Sequence, residues 1–89
     1  MAKRVKTAII TGAGSGVGRA TATALLKAGY NVTLAGRRID ALEETKSLSG
    51  ETQGNSFVVA TDITNEDSVL ELFQRTRQEF GHLDLLFNN

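Results

Sequence analysis

Cysteine is missing from all 89 residues, which removes disulfides, thiolate metal sites and cysteine nucleophiles together. There is one histidine, His82, placed beside Gly81 in a predicted turn; by itself it builds no metal site, and none is expected. The charge has no dominant sign: ten basic and ten acidic residues cancel, so nothing points to a nucleic-acid partner. No apolar run approaches the roughly 20 residues of a membrane span, and no signal-peptide core precedes the first apolar segment. The cytoplasm is therefore the default expectation, with no membrane partner. Lys3, Arg4 and Lys6 make a short basic cluster, read as a solvated tail. A chain of this length buries only about 60–65% of its unfolded surface. There is no internal repeat, low-complexity tract or linker, so residues 1–89 read as one domain.

What is present in abundance is glycine, and its placement is informative. Lys6-Thr7-Ala8-Ile9-Ile10 has strand character, and Val17, Ala20, Thr21, Ala24, Leu25 and Ala28 recur at helical spacing. Between them stands Thr11-Gly12-Ala13-Gly14-Ser15-Gly16-Val17-Gly18. The first N–H groups of a helix lack intrahelical partners, and the helix dipole adds positive potential there. Glycines remove the Cβ atoms that would hold a phosphate away from those donors. A glycine-rich turn can also be purely steric, but in a strand–turn–helix setting it favours a nucleotide site.

The next elements add to this. Tyr30 to Ala35 reads as a second strand, ending in Gly36-Arg37-Arg38. In a dinucleotide-binding βαβ unit this strand tip faces the adenine ribose, about 20 residues past the loop. A carboxylate there would accept from the ribose 2′-hydroxyl, but Ala35 and Gly36 supply none. Arg37 and Arg38 are suited instead to charge-assisted bonds with a 2′-phosphate; the alternative is two solvated surface arginines. Ile39 to Leu48 reads as a second helix with Ile39, Leu42 and Leu48 as its apolar residues, and Ser47 to Asn55 as a loop. Ser56 to Thr61 is a third strand, with Asp62 at its carboxyl end, where ligands of open α/β sheets bind. Asp62 suits an adenine amino group, or else a local turn. Thr64 or Asn65 is expected to cap the third helix, whose stripe is Val69, Leu72, Phe73, Thr76 and Phe80 and whose stop is Gly81. Leu83 to Phe87 forms a fourth strand running into Asn88-Asn89.

Taken in order, these segments resemble the N-terminal part of the short-chain dehydrogenase/reductase family over the whole chain. The glycine run matches the family's TGxxxGxG loop, and Leu85-Leu86-Phe87-Asn88-Asn89 the opening of its NNAG strand. The resemblance implies an α/β fold, a partial Rossmann-type doubly wound parallel sheet in the order β-α-β-α-β-α-β. Its strands would lie 3-2-1-4, with the first two helices on one face and the third on the other. It implies that Gly12, Gly14, Ser15, Gly16, Val17 and Gly18 cradle a pyrophosphate. Asp62 and Ile63 would hold adenine, Asn89 would lie near the nicotinamide-side ribose, and Asn88 would tie the central strands together. With Arg37 and Arg38 the implied cofactor is NADP, with NAD open because Ser15 stands where many NADP-preferring members carry a basic residue.

The family's catalytic Ser, Tyr and Lys fall beyond the NNAG strand, so no catalytic residue is assigned. Tyr30, the only tyrosine, lacks the Tyr-x-x-x-Lys spacing. The chain is therefore expected to be an incomplete domain of a longer NADP-dependent oxidoreductase acting on a carbonyl or alcohol substrate, commonly a homodimer or homotetramer. Two other readings stay open: a freestanding, non-catalytic nucleotide-binding module, and an S-adenosylmethionine-dependent methyltransferase. The second accommodates Arg37 and Arg38 poorly.

Overall fold

A computed structural model of the chain describes residues 4–52 and 54–89. Lys3 of the basic cluster and Gln53 of the expected loop lie outside the described residues. The elements are β1 (Thr7–Thr11), α1 (Gly16–Lys27), β2 (Asn31–Gly36), α2 (Ile39–Ser49), β3 (Ser56–Ala60), α3 (Glu66–Phe80) and β4 (Leu85–Phe87). The four strands form one parallel sheet in the order β3-β2-β1-β4, as expected. β1 is buried along its whole length and β2 nearly so, as central parallel strands must be when both faces are covered.

Side-chain alternation divides the core in two. On one face Ala8, Ile10, Val32 and Leu34 pack with Ala22 and Leu26 of α1 and Leu42 of α2. On the other, Ile9, Ala35 and Val59 pack with Leu72 of α3, flanked by Phe57, Phe73 and Leu83. Thr33 and Thr76 meet within this second layer. Thr76 Oγ1 lies 3.0 Å from Thr33 Oγ1 and 2.8 Å from the Leu72 carbonyl oxygen, so neither buried hydroxyl is left unpaired.

α3 follows its expected stripe. Asn65 is the cap: its side chain accepts from the Ser68 amide at 3.1 Å, with Glu66 and Asp67 in the first turn. Gly81, at φ +87, ends the helix in the left-handed region, and its amide donates to the Arg77 carbonyl at 2.7 Å.

α1 departs from its expected stripe. Its buried residues are Gly18, Ala22 and Leu26, while Val17 is 63% exposed. The helix is so rich in Ala, Thr and Gly that its apolar pattern gives little contrast, and close approach to the sheet selects the Gly18 side. In α2, Leu42 is buried as expected but Ile39 and Leu48 are exposed, and Thr45 and Ser49 are buried instead. Both hydroxyls bond to backbone, Thr45 to the Ala13 carbonyl and Ser49 to the Thr45 carbonyl, which is what permits their burial.

At the amino end of the sheet, Arg4 is an ion-pair partner of Asp84 at 2.9 Å rather than part of a free tail. The Thr7 amide, followed by Arg4 and His82, holds the Asp84 carboxyl below the usual carboxylate range. No helix among the described residues is long and apolar enough to cross a membrane.

Candidate nucleotide site

The carboxyl ends of the strands are where open α/β sheets place ligands, and β1 leaves the sheet there into the glycine loop. The loop turns at Gly12, φ +62, and enters α1 at Gly16, φ +54, both in the left-handed region. The Ala13 amide donates to the Ala35 carbonyl at 3.1 Å and pins the turn to the tip of β2. From Gly14 through Gly18, no amide among the described residues donates to a protein acceptor; the first to do so is that of Arg19, to Ser15. Ser15 stands at the cap position with extended backbone, and its hydroxyl makes no cap bond. The helix thus presents a row of unused donors at its positive end.

Gly18 serves a different purpose. A Cβ there would clash with the Gly12 carbonyl oxygen and stand 3.1 Å from Asn89 Nδ2. This glycine therefore lets α1 close onto the strand. Asn89 lies over the loop, its Nδ2 2.8 Å from where a Gly12 Cβ would stand. Its backbone amide donates to Thr11 Oγ1 at 2.9 Å, and Thr11 Oγ1 donates in turn to Asn88 Oδ1 at 3.0 Å. Asn88 thus joins β4 to β1, as expected, while the Asn89 side chain stays with the glycine loop.

Between loop and β2 tip opens a crevice of about 310 Å³. Gly12, Gly14 and Ser15 form one wall, Gly36, Arg37 and Arg38 the other, with Ala41 and Leu42 of α2 below. The two motifs that sequence spacing separates by some twenty residues therefore face one cavity. Val17 lies outside it, on the exposed first turn of α1. Ile63, 54% exposed, belongs to a neighbouring cavity of about 230 Å³ with Thr11, Leu86 and Asn88.

The charged residues of the rim are already paired. Arg38 Nη2 is 2.9 Å from Asp40 Oδ2, and Arg37 Nη2 is 3.3 Å from Asp62 Oδ1. Both pairs are solvent-exposed and so weak. The Asp62 carboxylate also closes a local turn: Oδ1 accepts from the Thr64 amide at 2.9 Å and the Thr64 hydroxyl at 2.6 Å. Those two bonds, with the Arg37 charge behind them, keep its carboxyl below the usual range. Both expectations for Asp62 bear on one side chain: Oδ1 serves the turn, and Oδ2 carries no protein bond among the described residues. Its backbone also joins the helix start, because the Asp62 amide donates to Ser68 Oγ at 2.9 Å.

Sequence reading missed one group. Arg19 reaches from α1 to α2, its Nε donating to Thr45 Oγ1 at 2.9 Å and its Nη1 pairing with Glu44 at 3.1 Å. Its Nη2 donates to the Gly14 and Ala41 carbonyls. The available signal was Thr45, which falls three residues after Leu42 on the buried side of α2. No cluster of metal-ligating side chains occurs among the described residues.

Comparison with known proteins bears on the family and the fold. The short chain dehydrogenase family model matches residues 6–89. An uncharacterized oxidoreductase of Staphylococcus aureus is 44% identical over 84 residues, covering 94% of this chain and 36% of the relative. The chain thus spans about a third of that relative's length. Among solved structures, an alcohol dehydrogenase from Thermococcus sibiricus complexed with 5-hydroxy-NADP superposes with TM-score 0.85 and 35% identity. It is matched over 92% of this chain and 35% of its own. The 3-ketoacyl-(acyl-carrier-protein) reductase from Brucella melitensis complexed with NADH gives TM-score 0.82 and 33% identity, over 91% and 32% of the two chains.

Proposed function

Because the chain belongs to the short-chain dehydrogenase family, we propose that it is the nucleotide-binding segment of an oxidoreductase that uses NADP. The observation that carries this reading is the single crevice shared by the glycine loop and the Arg37-Arg38 strand tip. The residues fit such a group. The unbonded amides of Gly14 to Gly18 match a diphosphate, and the absent Cβ atoms of Gly12 and Gly14 let the loop lie close to Asn89 and Ala41. Arg37 and Arg38 stand beside that path where a ribose 2′-phosphate would be held, and Ala35 and Gly36 bring no carboxylate to repel it. Asp62 offers Oδ2 to the adenine amino group, with Ile63 alongside, and Asn89 lies toward the nicotinamide ribose. When bound, the cofactor supplies or takes a hydride. This segment binds and orients it, while proton transfer to a carbonyl or alcohol substrate belongs to residues outside it.

A second reading, NAD, is favoured by Asp40 and Asp62, which already neutralise the two arginines. Of these two solved relatives, one is complexed with an NADP derivative and the other with NADH, so the family resemblance is compatible with either cofactor. A homodimeric or homotetrameric assembly and a single domain completed by further chain are part of the same proposal.

Fluorescence titration of the full-length protein tests it. NADPH should bind more tightly than NADH, and S-adenosylmethionine should not compete. Tighter binding of NADH would replace NADP by NAD, and competition by S-adenosylmethionine alone would overturn the oxidoreductase reading.

A further inference from the structure

Resting on that cofactor reading, we propose that Arg19 and Thr45 form a brace that holds the glycine loop in its anion-binding shape, with Arg19 as a positioning residue for the diphosphate. Two successive loop carbonyls are captured. Thr45 Oγ1 donates to the Ala13 carbonyl at 2.7 Å, and Arg19 Nη2 donates to the Gly14 carbonyl. In a trans peptide the C=O and the following N–H point to opposite sides. Anchoring the Ala13 and Gly14 carbonyls to the brace therefore turns the Gly14 and Ser15 amides away from it, as unbonded donors. The brace closes on itself, since Arg19 Nε donates to Thr45 Oγ1 at 2.9 Å and Nη2 also reaches the Ala41 carbonyl at 3.3 Å. A loop with glycine at 12, 14, 16 and 18 has many other conformations open to it, so fixing two of its peptides removes much of that freedom.

Arg19 is not itself placed as a phosphate ligand. Its guanidinium already serves Thr45, Glu44, Gly14 and Ala41, and Glu44 at 3.1 Å balances its charge. Its side chain is 26% exposed, against 68% for Arg37 and 76% for Arg38. The rim arginines face solvent and the crevice, and Arg19 is turned to protein.

The proposal separates ligands by whether they carry a diphosphate. In the full-length protein, Arg19→Leu and Thr45→Val are measured for binding of ADP, NADPH and adenosine 2′-monophosphate. Thr45→Val keeps the volume and every charge, so it isolates geometry from electrostatics and stands in if Arg19→Leu does not fold. Each variant should weaken ADP and NADPH about tenfold, the scale of one lost charge-assisted hydrogen bond, while adenosine 2′-monophosphate changes by less than about twofold. Unchanged ADP binding in a folded variant overturns the brace, as does a proportional loss of all three ligands, which would mark general destabilisation. Were the unaltered protein to bind none of the three, the cofactor reading would fall and the brace with it. If it binds ADP and the variants bind equally well, only the brace falls.

Discussion

Arg37 and Arg38 stand at the mouth of the crevice with their charges engaged by Asp62 and Asp40, so an incoming phosphate must compete with carboxylates. Exposed pairs of this kind contribute little and exchange readily. Arg37→Asp should weaken NADPH at least tenfold, the scale of one lost charge-assisted bond, while NADH holds or improves. Equal losses for both would remove the strand tip from cofactor choice. Gly16→Val should weaken both alike, for a backbone reason: a side chain there meets nothing within 4 Å, but φ +54 is strained for valine. Asp62 provides a pH signature. Its depressed pKa means its bonds stabilise the fold above the ordinary carboxylate pKa, about 3.9, and are lost as pH falls through the lower folded value. Thr64→Val removes the hydroxyl bond, and the carboxyl titration followed by NMR should move up toward the ordinary value. An unmoved titration would mean that the Thr64 amide and Arg37 suffice.

At the scale of elements, α3 is the only helix on its face of the sheet among the described residues, and its start is well made. Asn65 accepts from Ser68, and Ser68 accepts from Asp62. Asn65→Ala should cost about 1 kcal/mol in denaturant unfolding, a typical cap loss; a change within error would mean that Glu66 and Asp67 hold the helix start by charge alone. The four strands and the α3 stripe were legible because apolar runs and the Val69–Phe80 spacing contrast sharply with their polar neighbours, while the strand order came from the family resemblance. The faces of α1 and α2 were not. In α1 the small residues differ too little in hydrophobicity to rank, and what selects the Gly18 side is a contact with the Gly12 carbonyl, invisible to periodicity. In α2, Thr45 and Ser49 are polar by type and buried through backbone bonds that form only in the folded chain. The glycine loop and the arginine tip were legible as motifs, whereas the Arg19 brace, a tertiary contact across 26 residues, left only the place of Thr45, three residues after Leu42, as a local sign.

In the molecule as a whole, β4 is the exposed member of the sheet. Leu85 and Leu86 are 41% and 47% exposed, and Ile63 and Leu70 on the α3 side are 54% and 60% exposed. A bare apolar strand edge of this kind invites pairing with another chain. Residues 1–89 expressed alone should therefore self-associate in sedimentation velocity; a well-behaved monomer with cooperative unfolding would show that so short an edge is harmless. The Thr11–Asn89 bond has a consequence in time. Its two ends are separated by 78 residues, so Thr11 is made long before its partner. At about 5–20 residues per second that interval is roughly 4–16 s. Once β2 has been made, the nascent β1 can have it on one side but has no neighbour on the other until β4 follows. The glycine loop thus gains its Asn89 contact only when residue 89 has been made, and until then that side of β1 is bare.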